Sequence, residues 1–182
     1  MYGILLITSL VAMSYAEYLN DFDGELNFSC PDGETFSRIH SEHSNSAEDR
    51  RFELECKALG LDTAGQSPHC EWTAQYVNGY DEVFIYECPG NSFLNGMHSV
   101  HSNSAEDRKW KFRCCSYPRI HLLDCTDTGF TNTFDDVQNY IVPDGKAIKS
   151  VESYHSNGAE DRRYAYDVCS LIELDEIPSV VG

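Results

Sequence analysis

The sequence predicts an all-β fold: three homologous repeats in a closed pseudo-threefold body, β-trefoil-like or β-prism-like, stapled by disulfides. Three observations predict it. One segment recurs three times without a gap, polar and apolar residues alternate with period two inside each copy, and the chain of 182 residues carries eight cysteines.

At the N-terminus, Ile4 to Met13 is an apolar run too short to span a bilayer, and Ser14 and Ala16 place small residues around a cleavage site after Ala16. The expected organisation is a signal peptide at 1–16, a single domain at 17–170 holding all three repeats, and a C-terminal tail at 171–182. Secretion puts the chain in the extracellular space or matrix, where an even set of cysteines implies a disulfide framework rather than metal or redox chemistry. Thirteen Lys and Arg face thirty Asp and Glu, a net charge of −17, and none of these residues lies in 1–16. That field disfavours non-specific binding to nucleic acid or anionic lipid, so no nucleic-acid partner and no transmembrane segment is expected.

The repeats open with Tyr18-Leu19-Asn20-Asp21-Phe22-Asp23, Tyr76-Val77-Asn78-Gly79-Tyr80-Asp81 and Phe130-Thr131-Asn132-Thr133-Phe134-Asp135. In the same register, His43-Ser44-Asn45 falls on His101-Ser102-Asn103 and His155-Ser156-Asn157. Ala47-Glu48-Asp49-Arg50 falls on Ala105-Glu106-Asp107-Arg108 and Ala159-Glu160-Asp161-Arg162. The units are 18–56, 76–114 and 130–168.

Each unit reads as strands. Leu26, Phe28 and Cys30 alternate with polar neighbours, matched by Phe84, Tyr86 and Cys88. A second strand is expected from about Phe36 to His43. After the Arg, Arg51-Phe52-Glu53-Leu54-Glu55-Cys56 and its two counterparts alternate again. Asn-Asp-Phe-Asp-Gly, Pro-Asp-Gly and Ser-Asn-Ser-Ala-Glu-Asp supply turns. A short extra strand is expected before each unit, for example Glu71 to Ala74. One such unit is too small to bury a core alone, and closing three together removes open sheet edges.

The repeat also pairs cysteines. Cys30 and Cys56 occupy the unit positions of Cys88 and Cys114, and in the third copy both positions are valine, at Val142 and Val168. Joint loss of two cysteines points to bonded pairs, Cys30–Cys56 and Cys88–Cys114. Cys125 and Cys169 bracket the third unit, so the nested choice for the rest is Cys125–Cys169 and Cys70–Cys115.

The block Glu106-Asp107-Arg108-Lys109-Trp110-Lys111-Phe112, its two counterparts, the Tyr-x-Asn-x-aromatic-Asp openings and the Cys114-Cys115 pair resemble the dermatopontin family, on its invertebrate, hemagglutinin and amebocyte-aggregation side. The resemblance implies a non-catalytic extracellular protein that binds cell-surface glycans, proteoglycans or matrix proteins. The agglutinin-like reading comes first and a structural matrix role, organising fibrils or mineral, is the alternative. It also implies the same four bridges. The chain departs from the vertebrate pattern in lacking a long Tyr-rich N-terminal tail and one cysteine pair, so matrix roles that need that tail are not carried over.

The repeated block admits two roles. As a ligand site, His43, Asn45, Glu48, Asp49 and Arg50, with His101, Asn103, Glu106, Asp107 and Arg108 and with His155, Asn157, Glu160, Asp161 and Arg162, offer the planar donors and acceptors that sugar hydroxyls need. Three such sites would give avidity, as would a homo-oligomer. As a folding element, Asp49 caps a turn and Arg50 pairs with a carboxylate such as Glu48 or Asp23; this role is preferred. Lys109, Lys111 and Arg113 share the solvent side of one strand and form a local basic patch suited to sulfated glycan, with ordinary surface charge as the plainer account. Three equivalent histidines on a threefold axis could hold zinc, but no supporting partners are legible, and calcium has no ligand motif behind it. No cofactor or metal is therefore expected. Ser41-x-His43 comes without a nucleophile elbow, so no catalytic residue is assigned. Asn27-Phe28-Ser29 is a glycosylation sequon on a strand.

Overall fold

The computed structural model describes residues 18–174. The leader expected at 1–16 and the tail from 175 onward lie outside the described residues. Among the described residues there are eleven strands and no helix. They are β1 Leu26–Ser29, β2 Glu34–Ser44, β3 Asp49–Ala58, β4 His69–Trp72, β5 Phe84–Glu87, β6 Phe93–Ser102, β7 Asp107–Ser116, β8 Ile120–Phe130, β9 Gln138–Ile141, β10 Lys146–Ser156 and β11 Asp161–Glu173.

Each repeat builds an antiparallel hairpin, β2–β3, β6–β7 or β10–β11, turning at the Ser-Asn-x-Ala segment. The alternation works as read: Phe52 and Leu54, Trp110 and Phe112, and Tyr164 and Tyr166 are buried, while Arg51, Lys109 and Arg163 stand on the outer face. The short strand that opens each repeat pairs elsewhere. β1 of the first unit joins β6 of the second, β5 of the second joins β10 of the third, and β9 of the third joins β2 of the first. The three sheets are thus β1-β6-β7-β4, β5-β10-β11-β8 and β3-β2-β9. A bulge at the same place in each hairpin fixes this exchange. Ser37, Asn95 and Lys149 break register, and their carbonyls accept the N–H of Val142, Cys30 and Cys88, the residue just after the incoming strand. Next to the bulge, Gly96 lies so close to its neighbours that a Cβ there would stand 3.0 Å from the Phe28 carbonyl oxygen.

The main core lies where the three hairpins meet. Phe52, Trp110 and Tyr164, one equivalent ring from each unit, pack edge to face at centroid distances of 5.4, 6.3 and 5.8 Å. A smaller cluster of Leu59, Phe93, Tyr117, Ile120, Ala147 and Leu171 buries the spacers, so these are structured elements and not linkers. Disulfides join Cys30–Cys56, Cys88–Cys114, Cys70–Cys115 and Cys125–Cys169. Val142 and Val168 fill the core at the third unit's two cysteine-free positions.

Three local expectations need correction. The extra strand starts at His69 and ends at Trp72 rather than spanning Glu71 to Ala74, because its register is set by Cys70 lying opposite Cys115. The strand expected before the third unit is present but long rather than short: β8 runs from Ile120 to Phe130. The last strand overruns the boundary placed at 170: Leu171, Ile172 and Glu173 pair with Leu122, His121 and Ile120, and Leu171 is buried.

Candidate functional site

The three Glu-Asp-Arg blocks sit at the starts of β3, β7 and β11, and their side chains cross between units. Arg50 donates from Nε and Nη2 to both carboxylate oxygens of Asp161, each at 2.6 Å. Arg108 does the same to Asp49 at 2.6 and 2.6 Å, and Arg162 to Asp107 at 2.5 and 2.7 Å. The links run from first unit to third, second to first and third to second. All six residues are buried. Arg50 does not pair with Glu48 or Asp23, as the local reading has it. The strand exchange carries each guanidinium to another unit's carboxylate, where the planar fork is matched by two oxygens. Nη1 of each Arg also donates to a buried hydroxyl on its own hairpin, Ser41, Ser99 or Ser153.

The opening motif serves the same lock. Asn20, Asn78 and Asn132 each donate to the Arg carbonyl of their own block and accept the N–H of Phe52, Trp110 or Tyr164. Asp23, Asp81 and Asp135 each hold φ 63°, and their N–H groups donate to Asp49, Asp107 and Asp161 at 2.8 Å. Glu48, Glu106 and Glu160 are also left-handed, at φ 48°, 48° and 45°. Such non-glycine conformations cost about 1 kcal/mol or more each and persist only when their surroundings hold them.

The three histidines do not gather on an axis. Each side chain, 1% exposed, lies beside two aspartates of another unit. His43 is 3.3 Å from Asp161 and 3.6 Å from Asp135, His101 3.2 Å from Asp23 and 3.9 Å from Asp49, and His155 3.5 Å from Asp81 and 3.9 Å from Asp107. Two of these groups bring three ligand-type side chains together. Asp49 and Asp107 already hold a guanidinium on both oxygens, so the protein itself supplies positive charge there. Asn45, Asn103 and Asn157 are exposed on the turns.

The blocks converge on one pit of about 20 Å³ lined by Glu48, Glu106 and Glu160 around the Arg–Asp pairs. That holds about one water molecule and not a sugar ring. Burial opposes ionisation of Asp161, but the adjacent His43 imidazole and the hydrogen-bonded Arg50 fork outweigh it and hold its pKa at about 2, below the ordinary 3.8. A pKa lower in the folded than in the unfolded chain stabilises the fold above about pH 4, and this stability is lost as pH falls towards 2. The shift amounts to about 2 kcal/mol. The melting temperature is expected to fall between pH 4 and 2 and less steeply in Asp161→Asn, measured by circular dichroism; equal melting at pH 2 and pH 7 would contradict this.

Apart from the turn asparagines, the outward-facing basic candidates belong to the second unit. Lys109, Lys111 and Arg113 project from β7 while Trp110, Phe112 and Cys114 face inward. Asn27, His98 and Lys111 are neighbours across β1, β6 and β7. With Trp72 they line a cleft of about 240 Å³. The Trp72 indole is 39% exposed and meets His98 edge to face, and the Tyr76 ring packs against the same imidazole at a centroid distance of 6.0 Å. The Lys111 ammonium stands 5.1 Å from the Tyr76 ring and donates to the Ala74 carbonyl. Arg113 is drawn aside to Asn95 and Asp32. Trp72, Tyr76 and His98 were missed by sequence reasoning. The available signal was the clustering of Trp, Tyr and His around the one strand with three outward cations.

A family model described as dermatopontin matches residues 20–173. The chain is 36% identical to the hemagglutinin/amebocyte aggregation factor of Limulus polyphemus, over 92% of the chain and 95% of that protein. It is 32% identical to a dermatopontin of Biomphalaria glabrata over 84% of the chain and 99% of that protein. It is 35% identical to Millepora cytotoxin-1 of Millepora dichotoma, over 83% of the chain but 65% of that protein. No solved structure matches the chain.

Proposed function

Because the chain belongs to the dermatopontin family, we propose that it is a secreted, non-catalytic adhesion protein that recognises cell-surface glycans or matrix components and promotes cell aggregation. We read its body as a closed pseudo-threefold ring, a reading supported by the cyclic strand pairing. The observation that carries the functional proposal is the second unit's outer face. It sets Lys111, the Asn27 amide and a partly exposed indole around one cleft, with Lys109 on the same strand, on a chain whose net charge is −17. An indole can cover the apolar face of a sugar ring, and Lys111 with the Asn27 amide can meet its polar or anionic groups. Kinship with an aggregation factor supports the agglutinin reading over catalysis.

The test is hemagglutination with sugar inhibition, together with retention on heparin. Replacing Lys109, Lys111 and Arg113 by Ser removes three outward-facing, half-buried charges, each contributing about 1 kcal/mol. Affinity at this face is expected to fall roughly a hundredfold, with retention lost at moderate salt. Unchanged retention would remove the patch from the account. We also propose glycosylation at Asn27, which is exposed on β1 and borders the same cleft. An attached glycan would compete for the cleft, so the assay includes Ser29→Ala, which removes the sequon and keeps the Asn27 amide. The second reading, a structural matrix protein, is favoured by the kinship with molluscan dermatopontin. Acceleration of collagen fibril growth without agglutination of any cell type would select it.

A further inference from the structure

The outer face repeats one motif three times, and the copies have diverged. In each unit the first and fifth residues of the opening motif clasp the basic residue that follows the Glu-Asp-Arg block. In the first unit the Arg51 guanidinium lies 3.8 Å from the Tyr18 ring centre and 5.1 Å from that of Phe22. Glu42, directly across the hairpin, closes this cradle by accepting from Arg51 at 3.1 Å. In the second unit the Lys109 ammonium stands 5.0 and 4.6 Å from Tyr76 and Tyr80, and the residue across the hairpin is Val100. In the third, Arg163 lies 4.3, 4.7 and 5.9 Å from Phe130, Phe134 and Tyr154, and Tyr154 itself is the residue across the hairpin.

Among the described residues, Arg163 therefore has aromatic faces where Arg51 has a carboxylate. Its Nε is buried without a hydrogen-bond partner, as is that of Arg51, but among the described residues no carboxylate meets its Nη groups as Glu42 meets Arg51. Asp136, the one carboxylate in the adjoining cleft, accepts from the Val137 N–H and the Thr133 hydroxyl instead. That cleft measures about 430 Å³. Its apolar wall is open to solvent: Phe130 is 41% exposed, Val137 47%, and neighbouring Tyr154 44%. A partly desolvated guanidinium without a counter-ion is costly, and a planar anion answers it in the way Glu42 answers Arg51. Exposed rings beside it suit the apolar face of a sugar.

We propose that the Arg163 cradle is a second site for an anionic saccharide, one bearing a carboxylate or sulfate. It is separate from the second unit's face and lies in a different sheet. One chain then carries two sites and can bridge two glycans without a partner copy. This rests on the glycan-binding reading and adds valency to it.

The test is isothermal titration of the full secreted chain with a heparin-derived hexasaccharide, alongside agglutination titre. The wild-type chain is expected to bind two equivalents. Arg163→Gln should bind one and lose at least tenfold in titre. The Lys109, Lys111 and Arg113 triple Ser variant should also bind one, and the combined variant none. Tyr154→Glu recreates the first unit's closed cradle, so it should fold at least as well as wild type yet also bind one equivalent. A wild-type stoichiometry of one, lost in the triple Ser variant, would overturn the second site and leave the first. An unchanged stoichiometry in both Arg163→Gln and Tyr154→Glu would do the same. No binding by the wild-type chain would overturn the site and the glycan reading together.

Discussion

Replacing Arg108 by alanine should lower the melting temperature by roughly 6–20 °C. Arg108 gives two hydrogen bonds to Asp49, one to Ser99 and one to the Gly24 carbonyl, and it is 3% exposed. Its removal leaves a buried carboxylate with no cation to answer it, a loss that typically costs about 3–5 kcal/mol. A body of this size shifts by about 2–4 °C per kcal/mol. Arg108→Lys should recover only part, because an ammonium cannot span both Asp49 oxygens. The equivalent changes at Arg50 and Arg162 should cost similar amounts, since their partners Asp161 and Asp107 are met in the same way. Changing Glu48, which has no such cross-unit partner among the described residues, should cost far less.

Trp110→Ala should destabilise by a comparable amount, about 3–5 kcal/mol. The indole is fully buried, meets Phe52 and Tyr164 edge to face and stacks on Phe112 at 6.1 Å. Truncation opens a hole where all three units touch, and the strand exchange prevents neighbours from collapsing into it. Trp110→Phe should cost much less, about 1.5 kcal/mol or below. It reproduces the phenyl ring the first unit already places there at Phe52, and it removes an indole N–H that is buried with no acceptor. Denaturant midpoints of the two variants measure the contrast; equal losses would mean that the shared aromatic contact is not what matters at this position.

Much of this was legible in the residues. Gapless repetition marked the units, alternation marked their inner and outer faces, and the joint replacement of two cysteines by Val142 and Val168 pointed to the bonded pairs. What repetition cannot reveal is which copy supplies a partner. Each block contains both an Asp and an Arg, so a pair within one unit and a pair between units predict the same sequence. The short opening strands are ambiguous for the same reason: Leu26 and Phe28 suit the hairpin of any unit. The structure places them on the next one. In sequence the aromatic cradles look like turn chemistry, because the ring at the first motif position and the cation after the block lie more than thirty residues apart. Only the folded strand brings Phe130 beside Arg163. The two residues that set the copies apart, Glu42 and Tyr154, sit at one hairpin position inside otherwise matching segments.

A double-mutant cycle on the ion pairs tests the interlocked ring most directly. Asp49 and Arg108 belong to different units, whereas Asp49 and Arg50 are neighbours in sequence that do not pair. The lock predicts a coupling of about 2–3 kcal/mol between Asp49→Ala and Arg108→Ala. Between Asp49→Ala and Arg50→Ala it predicts a coupling well below that. Strong coupling within the Asp49–Arg50 neighbours and none to Arg108 would show that each unit closes on itself, and the cyclic exchange would be wrong.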